Sequence, residues 1–135
     1  MGVMAIIGLL MVAAFPNLRN FLSKFEQQVA LRQVRAQILM AQRLAMAKGT
    51  STQVDFINFG AHQGQVWIRE QLPGGSSYSV ISRKPLSGWD FVGHTQFYFS
   101  DTGFSPPAGF GTLLLSKSNN QHKLVMNQLG RITID

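Results

Sequence analysis

Three histidines, six acids and twelve basic residues are the charged or ligating groups of this 135-residue chain, which contains no cysteine. The histidines, His62, His94 and His122, fall in or beside expected turns and strands, and none has a carboxylate at metal-ligand spacing. A metal site needs several convergent ligands, so they read as ordinary surface histidines, and neither a metal nor a cofactor is expected. The acids beyond residue 49 (Asp55, Glu70, Asp90, Asp101 and Asp135) stand singly. They make neither a calcium loop nor a carboxylate pair fit for acid–base catalysis. There is no Gly-x-Ser-x-Gly elbow and no phosphate-binding loop. Gly109-Phe110-Gly111 is a flexible approach to a strand. Without cysteine the chain also lacks disulfides, thiolate ligands and a thiol nucleophile. No catalytic residue is expected, and the chain does not read as an enzyme.

The basic residues carry more information. Net charge is +6, which suits an acidic partner such as a phosphate backbone or anionic headgroups. Six basic residues (Arg19, Lys24, Arg32, Arg35, Arg43 and Lys48) fall between residues 19 and 48 against one acid, Glu26. Arg32, Arg35 and Arg43 lie off the apolar stripes, as a solvated helix face requires. Beyond them Arg69, Arg83, Lys84, Lys117, Lys123 and Arg131 are interleaved with Trp67, Tyr78, Trp89 and Tyr98. Cations for phosphate and rings for base stacking are the means by which proteins hold nucleic acid. Five nearby acids almost cancel those six charges, so such a patch requires clustering in space.

The elements that must position these groups follow from periodicity. No charge occurs in residues 1–18, and the strongly apolar run 3–15 is shorter than the roughly 20 residues of a spanning helix. A cleaved signal peptide would need a basic start and a break after its apolar run. Met1-Gly2 supplies no basic start and the helical pattern continues, so anchoring is expected. Leu18, Leu22, Phe25 and Val29 share one helix face, and Leu31, Val34, Ile38, Ala41 and Ala45 share a neighbouring one. Gly49 is a suitable stop. A single helix over 3–48 would be about 70 Å long and would have to protrude from a small domain. Pro16 lacks an N–H and obstructs the carbonyl one turn back, so a kink or a loosened turn is expected there, with Gly8 a further weak point.

After Gly49 the pattern turns to short alternating runs separated by Gly, Pro, Asn and Asp. Strands are expected at 53–59, 65–70, 77–82, 95–99, 112–116, 122–126 and 131–134, the last three as antiparallel hairpins. The composition, 45% hydrophobic and 13% charged, supports a folded chain. The expected fold is α+β: a long protruding N-terminal helix packed by its second half on an antiparallel β-sheet domain. Residues 1–18 read as the apolar half of the helix, 19–49 as its amphipathic basic half, and 50–135 as the sheet domain.

Ala5-Ile6-Ile7-Gly8, then Ala13-Ala14, then Phe15-Pro16-Asn17-Leu18 resembles the amino-terminal segment of type IV pilins and type II secretion pseudopilins. "QILMAQRLAMAKG" (37–49), "FYFSDTGFSPPAGFGTLLL" (97–115) and "HKLVMNQLGRITID" (122–135) are similar to the helix end, a strand–turn–strand segment and the closing hairpin of the minor pseudopilin group GspH/FimT. Residues 50–93 are not diagnostic. The resemblance implies a single-pass subunit of the inner (cytoplasmic) membrane, with its sheet domain outside the cytoplasm. It would be assembled with other pilins or pseudopilins by an inner-membrane platform into a type IV pilus or a type II secretion pseudopilus. Minor members of this type sit at the tip and help start assembly. Val3, Ile6, Ile7, Gly8, Leu9, Leu10, Val12, Phe15 and Pro16 would then be the anchor and filament core. Leu31, Val34, Ile38, Ala41 and Ala45 would pack the helix on the sheet.

The family's prepilin-peptidase glycine, phenylalanine and early glutamate would all align upstream of Met1. An upstream basic leader is expected on charge grounds as well. Basic residues beside a membrane segment favour the cytoplasm, and Arg19 and Lys24 alone would hold the sheet domain inside. An alternative role is a DNA-binding minor pilin of a competence pilus, with Lys123 and Arg131 as phosphate contacts. Some competence-linked members carry a basic residue two places after the closing Gly-Arg; here that position is Thr133.

Overall fold

The computed structural model describes residues 2–135, and the chain divides into two units, one ending at Gln33 and the other Val34–Asp135. One helix, α1 (Gly2–Lys48), supplies the first unit and opens the second. It continues through Gly8 and Pro16, although the proline has no N–H to give to the helix ladder. Its end follows from sequence. Gly49 takes the left-handed conformation at φ +63, and the Thr50 N–H donates to the Ala45 carbonyl at 3.2 Å, the six-to-one bond of a Schellman cap.

In the first unit the apolar side chains face outward. Val3, Leu9 and Val12 are more than 70% exposed, and the stripe Leu18, Leu22, Phe25 and Val29 is exposed too. The second unit is the reverse. Val34, Ile38, Ala41 and Ala45 on its helix are buried, together with residues from every strand except β3 and β8.

Two antiparallel four-stranded sheets form the rest of that unit. In the first, β1 (Thr52–Ile57) lies between β2 (Gln65–Gln71) and β5 (Gln96–Phe99), and β3 (Tyr78–Pro85) pairs outside β2. In the second, β4 (Asp90–Gly93), β6 (Gly111–Lys117), β7 (Asn120–Met126) and β8 (Ile132–Ile134) pair in that order. A short 3-10 turn, Gly60–His62, sits between β1 and β2. The expected antiparallel sheet is thus two sheets, and the expected hairpins of the last three strands are present. Strand β4 was absent from the sequence reading. It has four residues, bounded by Asp90 and Gly93, which strands disfavour, and only Phe91 in it is buried.

The chain passes from one sheet to the other at His94-Thr95. The His94 N–H donates to the Thr112 carbonyl at 2.9 Å, and the Thr95 carbonyl accepts from the Phe56 N–H at 2.8 Å. These two bonds tie β6 to β1 through adjacent residues. Phe56 meets Phe91 of the other sheet and Phe97 of its own sheet edge to face, with centroids 5.2 and 5.8 Å apart. That geometry suits ring quadrupoles. The helix is held by side chains as well as by burial. Thr52 Oγ1 donates to the Ala41 carbonyl at 2.8 Å, and Gln42 Nε2 to the Gly103 carbonyl at 2.8 Å.

Candidate functional site

The strongest candidate in the first unit is the helix surface itself. Val3, Ile6, Ile7, Leu9, Leu10, Val12 and Phe15 are all large apolar side chains left in the open. Gly8 has nothing around it that a Cβ would meet, and Pro16 is exposed on the same helix. Exposed apolar patches of this extent mark interaction with membrane or protein. Of the described helices, α1 alone is long and apolar enough to cross a membrane.

In the second unit the expected packing stripe is placed as follows. Val34, Ile38, Ala41 and Ala45 are buried, whereas Leu31 belongs to the first unit and is half-buried. Two glycines permit close approach to this helix. Gly103 (φ +81) and Gly130 (φ +75) would bring a Cβ within 2.7 Å of Met46 Sδ and 2.5 Å of Gln42 Nε2 respectively. Gly130 belongs to the closing Gly-Arg pair, so its place there has a steric reason.

Lys123 and Arg131 lie four pair positions apart on the closing hairpin. Lys123 lies on β7, with its backbone paired to Asp135 through bonds of 3.1 and 3.0 Å. An acidic residue therefore stands directly opposite this cation. Arg131 is paired instead with Asn127, whose Oδ1 accepts from the Arg131 N–H at 2.9 Å. Lys123 and Asn127 are four positions apart, about 13 Å at the usual rise.

The other basic and aromatic residues do cluster, on the outer face of the first sheet. Thr52, Val54 and Phe56 point to the core, so alternation turns Gln53 and Asp55 the other way. Register places Trp67 beside Asp55 and Arg83, and Arg69 beside Gln53. The Arg83 and Arg69 guanidinium carbons lie 4.5 and 5.4 Å from the Trp67 ring centre, within cation–π range. His62 meets the same indole edge to face at 5.1 Å. Tyr78 and Tyr98 come from the two edge strands, and their rings meet at 6.4 Å.

Beneath these rings is a buried polar layer that the sequence reading missed. Asp55 is almost wholly buried, accepts a hydrogen bond from Gln53 Nε2, and lies 2.9 Å from Arg69 Nε. The Arg69 Nε–H is not aimed at that oxygen, so this is an ion pair without a well-formed hydrogen bond. Burial pushes the Asp55 carboxyl above its ordinary value, against the Gln53 hydrogen bond and the Arg69 charge. Burial, reinforced by the Asp55 charge, likewise raises the Tyr98 phenol. The Gln-x-Asp and Gln-x-aromatic spacings were the available signal. Gln65 Oε1 accepts from Trp67 Nε1 at 2.8 Å, and Gln96 Oε1 from the Tyr98 hydroxyl at 3.2 Å.

Elsewhere, Glu70 is held below its ordinary value by the hydrogen bond from Lys48 Nζ, 2.9 Å away. Only His62 is a surface histidine. His94 packs on Phe97 and His122 on Trp89, each half-buried with an Nε2 that has no hydrogen-bond partner. Among the described residues no group of three or more His, Asp or Glu is placed to hold a metal ion.

A long N-terminal helix followed by antiparallel sheets occurs in solved structures. Two crystal forms (P21 and P65) of the type IV minor pilin FimU from Pseudomonas aeruginosa strain PAO1 superpose on this chain with TM-scores of 0.64 and 0.59. This is a pilin-like fold. The two alignments cover 85% and 80% of this chain and 92% and 91% of FimU, at 17% identity in both. No protein-family model matches the sequence, and no curated protein matches it. The pilin-like architecture therefore persists where sequence identity is low.

Proposed function

We propose that this chain is a minor pilin or pseudopilin, a structural subunit anchored in the inner membrane and assembled with related subunits into a type IV pilus or a type II secretion pseudopilus. The observation that carries this reading is the exposed apolar half of α1 in a chain with a pilin-like fold. A side chain such as Leu9 or Val12 gains about 1.5–3 kcal/mol when it leaves water. So many exposed together call for an apolar surrounding, which the bilayer supplies before assembly and neighbouring helices supply within a filament.

In this reading residues 1–18 are the anchor and filament core, 19–49 the basic amphipathic half of the helix, and 50–135 the sheet domain. The sheet domain lies outside the cytoplasm, and the subunit serves at the filament tip or in initiation. An inner-membrane platform and a prepilin peptidase are its assembly partners. Its role is structural, with no catalytic step.

Fractionation of cells expressing the full chain tests the proposal. Ile7→Asp is expected to remove most of the protein from the membrane and sheared-filament fractions, because a central acid costs an inserted helix about 2.5–3.5 kcal/mol. Wild-type recovery of Ile7→Asp in both fractions would refute the reading.

A further inference from the structure

We infer that the outer face of the β3-β2-β1-β5 sheet is a binding surface for single-stranded nucleic acid, centred on Trp67 and Arg83. It involves neither Lys123 nor Arg131, and it does not depend on filament assembly.

The register of β3 is the first support. Tyr78 and Arg83 are five residues apart, so strict alternation would put them on opposite faces. The pairing shifts, however: Ser82 faces Ile68 while Val80 faces Arg69, which leaves Ile81 as an extra, unpaired residue. This bulge returns Tyr78 and Arg83 to one side, the side that carries Trp67 and Arg69. Bulges commonly re-aim side chains at functional positions.

Charge is the second support. The Arg69 charge is matched by Asp55, and Glu70 is engaged by Lys48. Arg83 is exposed, and among the described residues it forms no ion pair; its neighbour Lys84 pairs with buried Val66 and so belongs to the opposite face. The edge of the face thus keeps uncompensated positive charge at Arg83, whose guanidinium carbon lies over the Trp67 ring, 4.5 Å from its centre.

Preorganisation is the third. The indole and phenol polar atoms are occupied by Gln65 and Gln96, and Arg69 is restrained by Asp55. The ring orientations are therefore set before any ligand arrives. Fixed rings and an arginine plane on an antiparallel sheet are what unpaired bases stack on, while cations at the edge take the phosphates. Duplex DNA hides its base faces and would gain only the charge.

The test uses full-length protein in mild detergent, titrated with a labelled oligo(dT) strand. Anisotropy reports affinity, and tryptophan emission reports stacking. Of the two tryptophans, Trp89 is buried, so a change in emission reports Trp67. Binding is expected to quench Trp67. With Arg83 as the phosphate contact, log affinity should fall against log salt with a slope of about −0.7. Arg83→Gln, at an exposed position, should flatten most of that salt dependence. Trp67→Ala should weaken binding about fivefold or more, the low end for loss of one stacked base. Three results would overturn the inference. One is no anisotropy change at low salt. Another is equal binding of duplex DNA or a sulfated polysaccharide, which would mean charge alone. The third is full retention in Arg83→Gln with loss in Arg131→Gln, which would place binding on the other sheet.

Discussion

Ile7 and Ile38 are the same residue on the same helix, yet one is 47% exposed and the other fully buried. The difference between them separates the two units. Up to Gln33 the helix offers apolar side chains to whatever surrounds it. From Val34 onward the same kind of stripe is consumed by the chain's own core. From Leu18 the periodicity is as clear as it is beyond Val34, so an apolar stripe specifies a helix face without specifying what covers it. The first unit leaves its apolar surface exposed, and the second buries it in folding.

The largest expected effect comes from substituting this pair. Ile38→Ala should lower the stability of the folded chain by about 2–5 kcal/mol, through lost burial and a residual cavity. Ile7→Ala should stay within about 0.5 kcal/mol, as exposed positions do. Denaturant unfolding in detergent compares them, and equal losses would break the distinction between the units.

A smaller effect is expected at Gly130→Ala. The left-handed conformation alone costs a non-glycine residue about 1–2 kcal/mol, and the new Cβ would press on Gln42 and its bond to the Gly103 carbonyl. A melting temperature unchanged from wild type would remove Gly130 from the devices that hold the helix.

The smallest expected effect concerns pH and the buried polar layer of the second unit. Burial raises the Asp55 carboxyl above its ordinary 3.8, so the folded chain binds that proton more tightly than the unfolded chain does. The associated stability is fully present below pH 3.8 and is lost as pH rises through the higher folded value. Urea midpoints measured from pH 3 upward should therefore show a decline in wild type that Asp55→Asn lacks. The same decline in both proteins would assign it to another group.

Several features were legible before any coordinates. The helix, its stop at Gly49, the hairpins of the last three strands and the apolar stripe Leu31, Val34, Ile38, Ala41 and Ala45, of which all but Leu31 are buried, depend on local spacing and local turn chemistry. The candidate site was legible only in kind. Trp67, Arg69, Arg83, Tyr78 and Tyr98 were visible as part of a mixture of cations and rings that also held Lys117 and Trp89, and the contacts singled out from it were Lys123 and Arg131 instead. Trp89 proved to be buried against His122, and Lys123 to stand opposite Asp135.

What the sequence by itself determined is the periodic and the local: an apolar, uncharged helix half, an amphipathic continuation, a glycine cap and short alternating strands. Tertiary structure alone decided that the strands form two sheets, that residues 90–93 become a strand, and that Tyr78 and Arg83 share a face. Each of these depends on which distant segment supplies the hydrogen-bond partner. A strand's own residues carry its alternation, but its register, its bulges and its sheet are properties of the pair.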